Sequence, residues 1–141
     1  QKQVMETLGQ IQENINASVI LVGHDMGLMA QFVDRVGIMY AGRLVELGPV
    51  EDIFEKPQHP YTRLLIGTLP SLETKGVFKG IPGMTPSLLA PPPGCTFHPR
   101  CRERIEQCSH IVPQVTQISG NHVVRCLLYE TQPELQGEKA Q

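Results

Sequence analysis

The residues in this chain that are best suited to chemistry are its four cysteines, Cys95, Cys101, Cys108 and Cys126. They are the only cysteines among 141 residues, and the gaps between them are five, six and 17 residues long. The surrounding sequence has few large apolar side chains and several turn-forming residues, so this stretch can build only a thin hydrophobic core. Four thiols in such a setting indicate that covalent or metal bonds hold the stretch together.

Several kinds of site can use these thiols. Disulfides form mainly in oxidising compartments, and no signal peptide opens the sequence, so we expect a cytosolic protein with reduced thiols. Structural zinc sites usually contain a short C-x₂₋₄-C knuckle, whereas the shortest gap here is five residues. Wider gaps suit thiolates placed around a larger object, such as an iron–sulfur cluster. The spacing therefore favours a cluster, with zinc as the alternative, while disulfides and four unrelated thiols stay open.

Other side chains in the same stretch are secondary candidates. Three histidines serve as reserve ligands only, and we expect them at the surface: His98, His110 and His122. Three arginines can offset the negative charge of thiolates and a cluster: Arg100, Arg102 and Arg104.

A second candidate for chemistry is His24, which follows the short apolar run 18–22. Such a run, with β-branched members, predicts a strand buried on both faces, as in a parallel sheet. In open α/β sheets, ligands bind beyond the carboxyl ends of the strands. A neutral imidazole at that edge can bridge a phosphate and an attacking water, since it accepts one hydrogen bond and donates another. The alternative is a polar loop histidine beside Asp25, the predicted N-cap of the next helix.

Composition and charge limit the class of protein. Twelve Lys and Arg face 14 Asp and Glu, which gives a net charge of -2 and no electrostatic footprint for nucleic acid. No apolar run approaches the roughly 20 residues of a membrane span. Large aliphatic residues concentrate in 18–69, whereas Pro and Cys concentrate in 80–126. We therefore predict two units, 1–69 and 70–130, with a boundary near residues 70–80 and a flexible tail over 131–141.

The elements that must position these residues follow from hydrophobic periodicity and turn signals. In the first unit they are a helix over 1–15, the buried strand over 18–22, a short helix over 26–33, a hairpin of strands 35–40 and 43–47 joined by Ala41-Gly42, and helices over 50–55 and 61–69. In the second unit only one or two helical turns over 102–108 and a closing strand over 122–129 are predicted. The fold class is therefore α/β, followed by a small irregular Cys-rich extension.

One stretch of the first unit resembles a known family. The run VILVGHDMGLMAQFVDRVGIMYAGRLVELGP resembles the C-terminal part of an ABC-transporter ATPase subunit, with its strand, His-Asp pair, helix, Asp-Arg and "M-Y-x-G-R-(I/L)-V-E-x-G" hairpin. Gly23 departs from the family's usual Thr or Ser. The resemblance implies that His24 is the switch histidine, which contacts the ATP γ-phosphate in the complete, Mg²⁺-dependent enzyme.

The same resemblance shows which parts of the ATPase this sequence lacks. It contains no G-x-x-x-x-G-K-[ST] phosphate loop, Gln loop, signature motif or acidic catalytic strand. We therefore expect the chain to be the last part of a longer ATPase and to be inactive alone. A sheet without its neighbouring strands would expose apolar edges, so we also expect self-association or rearrangement of residues 1–50.

The second unit, together with a segment near the end of the first, resembles the C-terminal extension of oligopeptide and dipeptide importers. The strings that carry this resemblance are Pro57-Gln58-His59-Pro60-Tyr61-Thr62, Ile81-Pro82-Gly83, and Gly94-Cys95 with Phe97 and Pro99-Arg100-Cys101. Thr85 departs from a paired proline of the family pattern. Some importer ATPases with this cysteine pattern carry a [4Fe-4S] cluster, so the resemblance implies the same for the four cysteines here. Judged by itself, His59 fits a structural role in a Pro-set turn better than a ligand role.

The resemblance implies a function for the whole protein. It would be the ATP-binding subunit of an ABC importer for peptides, peripheral on the cytoplasmic face of the cell membrane. Its partners would be a second ATPase subunit and the transmembrane permeases. The alternative is a stand-alone iron–sulfur or zinc module that binds a protein partner, against which the strand, His24 and hairpin argue.

Overall fold

A computed structural model describes residues 2–69 and 80–130 of the chain. Within these ranges the chain forms four helices and four strands: α1 Lys2–Ile15, α2 Met26–Met29, β1 Arg35–Tyr40, β2 Arg43–Pro49, α3 Val50–Glu55, α4 Pro60–Gly67, β3 Thr116–Ser119 and β4 His122–Val124. Two 3₁₀ turns, His98–Arg100 and Glu106–Ser109, lie between α4 and β3. The predicted tail over 131–141 and most of the predicted boundary, residues 70–79, lie outside the described residues.

The predicted hairpin is confirmed. β1 and β2 pair antiparallel, with Tyr40 opposite Arg43 at the closing end. The two loop residues, Ala41 and Gly42, both have positive φ, at 46° and 78°. Positive φ at both positions is the geometry of the tight hairpin turn whose twist matches that of the strands.

A second hairpin joins the same sheet from the far end of the chain. The strand order is β1-β2-β4-β3, and every pairing is antiparallel. β4 pairs with β2 through Glu46 and Leu47, and the Arg125 N–H extends the contact by donating to the Val45 carbonyl at 2.8 Å. The sheet therefore contains strands from both predicted units. The division of the chain into these two units stays a prediction.

The prediction of a buried strand over 18–22 is wrong. That segment has no regular structure, and Val19, Ile20 and Val22 are 50%, 91% and 95% exposed. A strand buried on both faces needs hydrogen-bonded neighbours and covering helices. No strand among residues 2–69 and 80–130 pairs with it, since the sheet is made by two hairpins elsewhere. The fold is thus mixed helix and antiparallel sheet over the described residues.

The helices largely follow the predicted pattern. α1 matches the predicted span, but its apolar side chains stay open to solvent, with Val4 and Ile15 62% and 66% exposed. α2 is shorter than predicted, and Asp25 caps it as expected, its Oδ1 accepting from the Leu28 N–H at 3.0 Å. The exposed face of α1 is compatible with self-association, which stays a prediction. None of the helices in the described ranges is long and apolar enough to cross a membrane.

The core is small and aromatic. Its buried members are Ile38, Tyr40, Val45, Ile53 and Phe97. The Phe97 ring is fully buried and lies 5.1 Å from Tyr40 and 5.3 Å from Tyr61, centroid to centroid. Packing of this kind adds to the burial of apolar area. Phe97 therefore fixes the cysteine-bearing segment against the first hairpin and α4.

Candidate cysteine site

The structure brings all four predicted cysteines to one small cavity. Cys95, Cys101, Cys108 and Cys126 line a space of about 10 Å³, together with His59 and His98 among others. Cys108 and Cys126 are buried, the other two are half-buried, and none forms a disulfide. Four cysteines separated by as many as 31 positions in the sequence therefore border the same cavity.

Glycine at position 94 brings the first and third cysteines together. The Cys95 N–H donates to the Cys108 carbonyl at 2.9 Å, which links the two segments. Gly94 has φ +68°, and a Cβ there would overlap the Cys108 carbonyl oxygen and lie 2.7 Å from the His110 nitrogen. Only glycine fits this position without displacing the neighbouring backbone.

The other two cysteines are placed by short turns and by the sheet. Cys101 follows the 3₁₀ turn His98–Arg100, and its N–H donates to the His98 carbonyl at 3.2 Å. Cys126 comes two residues after β4 and accepts at its carbonyl from the Tyr129 N–H at 3.0 Å. The β2–β4 pairing thus carries the fourth thiol to the cavity, which links the site to the first hairpin.

Burial shifts the pKa of three of the thiols, those of Cys95, Cys101 and Cys126. It raises the pKa of Cys95 and Cys101, and it raises that of Cys126 to about 12, with the nearby cysteines adding to the shift. Backbone N–H groups oppose the shift, and they belong to residues two positions after each cysteine: Phe97, Glu103 and Leu128. Without a cation, these thiols are therefore neutral at pH 7, whereas a bound metal would stabilise the thiolates.

The donor set fits a group that takes several thiolates, but the side chains do not surround a single point. Among the described residues, no three His, Cys, Asp or Glu side chains are arranged to hold one metal ion. Four thiols around one cavity, three of them served by a backbone N–H, match the chemistry of a thiolate-bound group.

A buried histidine that the sequence reading treated as structural also lines the cavity. His59 is 1% exposed, and its Nδ1 accepts from the Tyr61 N–H at 3.0 Å, which caps α4. Its Nε2 is buried and has no hydrogen-bond partner within the described part of the chain. Burial lowers the pKa of His59 to about 4, although nearby Glu46 opposes the shift. The imidazole is therefore neutral at pH 7.

Glu46 connects the segments that frame the cavity. Its carboxylate is almost fully buried and accepts from the Gln58 N–H at 2.7 Å, the His59 N–H at 2.9 Å and His122 Nε2 at 2.7 Å. The Tyr129 hydroxyl completes the link by donating to the Gln58 carbonyl at 3.0 Å. One carboxylate in β2 thus joins the entry of α4 to β4.

The three histidines predicted as reserve ligands lie in different environments. The surface position predicted for His122 is wrong, because its side chain is 2% exposed and bonded to Glu46. His98 lines the cavity, and its Nδ1 donates to the Cys95 carbonyl at 2.9 Å. His110 is exposed, as predicted, beside the Ser109 hydroxyl.

Comparison with known proteins assigns this region. Residues 45–108 match the model for the C-terminal region of oligopeptide/dipeptide transporters. The chain is also 44% identical over 135 residues to the dipeptide transport ATP-binding protein DppD of Bacillus subtilis, covering 95% of this chain and 40% of that protein. Most of the cysteine site thus lies in a region that is similar to the C-terminal part of oligopeptide/dipeptide transporters.

Two further relatives are also named as peptide import ATP-binding proteins. A Brucella abortus protein named for peptide import and ATP binding is 41% identical over 128 residues, which is 89% of this chain and 38% of that protein. A Brucella ovis protein with the same kind of name is 36% identical over 137 residues, 92% of this chain and 40% of that protein. The chain thus spans about two fifths of the length of these curated relatives.

The matched region, residues 45–108, contains most of the site. It begins at Val45 in β2, includes Glu46 and His59, and ends at Cys108. Cys126 lies beyond it and reaches the cavity through β4. His24 lies before it, in an exposed position after the unpaired segment 18–22, and does not line the cysteine cavity.

Sequence reasoning missed the part of the site that depends on distant contacts. Glu46 and His122 are 76 residues apart, and no local pattern marks either as buried. For His59 a signal exists, because it directly precedes Pro60, a residue favoured at the first helical position, and so occupies the N-cap. Nothing local shows that its other ring nitrogen is buried.

Proposed function

We propose that this chain is the C-terminal part of the ATP-binding subunit of an ABC importer, which couples ATP hydrolysis to uptake of oligopeptides or dipeptides. The observation that carries the proposal is the match of residues 45–108 to the model for the C-terminal region of oligopeptide/dipeptide transporters. Similarity over 95% of the chain to a dipeptide transport ATP-binding protein supports the same function.

In the complete protein, His24 acts as the switch histidine at the γ-phosphate of bound ATP, with Mg²⁺ on the phosphates. This role rests on the sequence resemblance, because the segment before His24 forms no strand here. The chain has no G-x-x-x-x-G-K-[ST] phosphate loop, so it has no cradle for the nucleotide. By itself it neither binds ATP tightly nor hydrolyses it.

The partners follow from the same proposal. A second ATPase subunit and a pair of transmembrane permeases complete the importer, and the ATP-binding subunits lie on the cytoplasmic face of the membrane. The two predicted units, 1–69 and 70–130, would then serve nucleotide-driven closure and regulation or stability respectively.

Transport in proteoliposomes tests this function. The complete importer should take up a labelled dipeptide only with ATP and Mg²⁺, and His24→Ala should reduce both uptake and phosphate release about 100-fold or more, as expected for removal of a group that acts in the reaction. His110→Ala, at an exposed histidine, is the matched control and should leave both rates unchanged. Full uptake by the His24 variant, or phosphate release by the isolated chain, would reject the assignment.

We also infer that Cys95, Cys101, Cys108 and Cys126 bind a [4Fe-4S] cluster. Support comes from four reduced thiols at one cavity and from backbone N–H groups near three of them. The gaps between the cysteines, at least five residues long, lack the short C-x₂₋₄-C knuckle that is usual for structural zinc, so a cluster is favoured over a single zinc ion, which is the alternative. When bound, such a cluster supplies metal–thiolate bonds that stabilise a region with a small core.

A further inference from the structure

The tautomer of His59 is fixed by its hydrogen bond to the helix. Its Nδ1 lies 3.0 Å from the Tyr61 N–H, and a backbone N–H can only donate. Nδ1 must therefore be unprotonated, so the neutral ring carries its proton on Nε2. The cap of α4 thus determines which nitrogen can donate.

The Nε2–H group is a buried donor that has no acceptor among the described residues. Within residues 2–69 and 80–130, no acceptor lies within hydrogen-bond reach of it, and the residue is 1% exposed. Leaving a buried donor without an acceptor is energetically unfavourable, so its presence calls for an explanation. His59 lines the same cavity as the four cysteines, which is the place where a missing acceptor would lie.

The ring has little freedom to turn toward solvent. The His59 backbone N–H donates to the Glu46 carboxylate at 2.9 Å, and Pro60 restricts the chain after it. The imidazole lies 5.9 Å from the buried Phe97 ring, centroid to centroid. With both its backbone and its Nδ1 engaged, His59 presents Nε2 in one fixed orientation.

We propose that His59 Nε2–H donates a hydrogen bond to a sulfur of the cluster held by Cys95, Cys101, Cys108 and Cys126. The proposal rests on the cofactor inferred above. Sulfides and thiolates are the acceptors that such a site offers, and hydrogen bonds to them tune the cluster's reduction potential. Because the reduced cluster carries one more negative charge, the donor stabilises the reduced form more than the oxidised form. His59 is therefore a positioning and tuning residue rather than a metal ligand.

Two substitutions separate the two roles of the ring. Asparagine can place an acceptor near the position of Nδ1, so His59→Asn keeps the cap of α4 but loses the donor in the cavity. Glutamine reaches farther, so His59→Gln restores a donor near Nε2 while giving up the cap. Thr62→Val is the control, because Thr62 has another buried and unpartnered polar atom but does not line the cavity.

The experiment is a redox titration of the complete subunit, purified without oxygen and followed by electron paramagnetic resonance. His59→Asn should favour oxidation about tenfold, which lowers the midpoint potential by about 59 mV for a one-electron couple. His59→Gln should recover most of the wild-type potential despite losing helix stability, and Thr62→Val should match the wild type. A merely structural His59 would show the opposite order, with His59→Gln the more affected variant.

A measurement on the unmodified protein covers the case in which the variants do not fold. With ¹⁵N-labelled histidine, one Nε2 proton should be protected from exchange and shifted by the paramagnetic cluster. Wild-type potential in a folded His59→Asn variant, or no such shifted proton in the loaded wild type, would overturn the role of His59 alone. Wild-type protein that contains no iron and sulfide would overturn the cofactor, and the proposed role with it.

Discussion

At the scale of single residues, Gly94 decides how closely two cysteines approach. Several of the glycines that the structure describes have positive φ, but among them only Gly94 is placed so that a Cβ would overlap backbone atoms of another segment. Gly42 has a similar φ of +78° and open space around it. Substitution at Gly42 therefore measures the energetic cost of a left-handed backbone alone, whereas substitution at Gly94 adds the cost of steric overlap.

We predict that Gly94→Ala lowers the free energy of unfolding by about 3 kcal/mol or more, since strain and overlap add. Gly42→Ala, the control, should cost about 1 kcal/mol from backbone conformation alone. Urea unfolding of both variants checks this. Equal losses at the two positions would show that the 94–108 backbone contact is not as tight as the structure indicates.

His59 also predicts a pH dependence of stability for the metal-free chain. Its pKa falls from 6.5 to about 4 on folding, so between those values the unfolded chain binds more protons. The stabilisation is complete above pH 6.5 and is lost as the pH falls toward 4. The shift corresponds to about 3 kcal/mol.

Urea titrations from pH 7.5 to 4 should therefore show a steeper loss for the wild type than for His59→Asn, which has no titrating ring. The two curves should diverge below pH 6.5. Parallel curves across this window would mean that His59 is not desolvated on folding.

At the scale of elements, Glu46 joins β2, the start of α4 and β4 through three hydrogen bonds. Replacing it with glutamine puts an amide group where a carboxylate accepts from two backbone N–H groups. Glu46→Gln should therefore cost about 3 kcal/mol, as expected for a disrupted buried charge network. Glu51→Gln, at an exposed position in α3, should change little.

Thermal unfolding and amide hydrogen exchange check this prediction. In Glu46→Gln, amides of β4 and of residues 58–63 should lose protection together, because one carboxylate holds both segments. Loss confined to one segment would contradict that shared role.

Elements set by local chemistry could be predicted from the sequence. The Ala41-Gly42 turn, the Asp25 cap and α3 after Pro49 all depend on residues within a few positions of one another. The 18–22 strand was wrong because an apolar run shows that a segment can be buried but not what buries it. The joining of β4 to β2 was not foreseen for the same reason, since it brings together residues more than 70 positions apart.

The cysteine site was predicted in part. Cys spacing and turn-rich flanks indicated one shared site, and the four thiols do line one cavity. Its support by Glu46 and His122, and the buried donor of His59, could not be predicted, because these depend on the packing of distant strands. Arg100, predicted to offset cluster charge, instead donates to the carbonyls of Ile81 and Pro82 at 2.7 and 3.0 Å.

At the scale of the whole molecule, the first hairpin connects the ATPase-like stretch with the cysteine site. It belongs to the stretch that resembles the ATPase, and through β2 it also holds β4, which delivers Cys126 to the cavity. The region that matches the transporter model also starts within this hairpin, at Val45. Loading of the cysteine site is therefore expected to stabilise the sheet as a whole rather than the extension alone.

The most direct test of this account is the iron, sulfide and zinc content of protein purified without oxygen. We expect about four irons and four sulfides per chain, and Cys126→Ser should lower both although Cys126 lies outside the matched transporter region. One zinc per chain with no sulfide would contradict the [4Fe-4S] assignment, and protein free of all three would contradict a metal site at these cysteines.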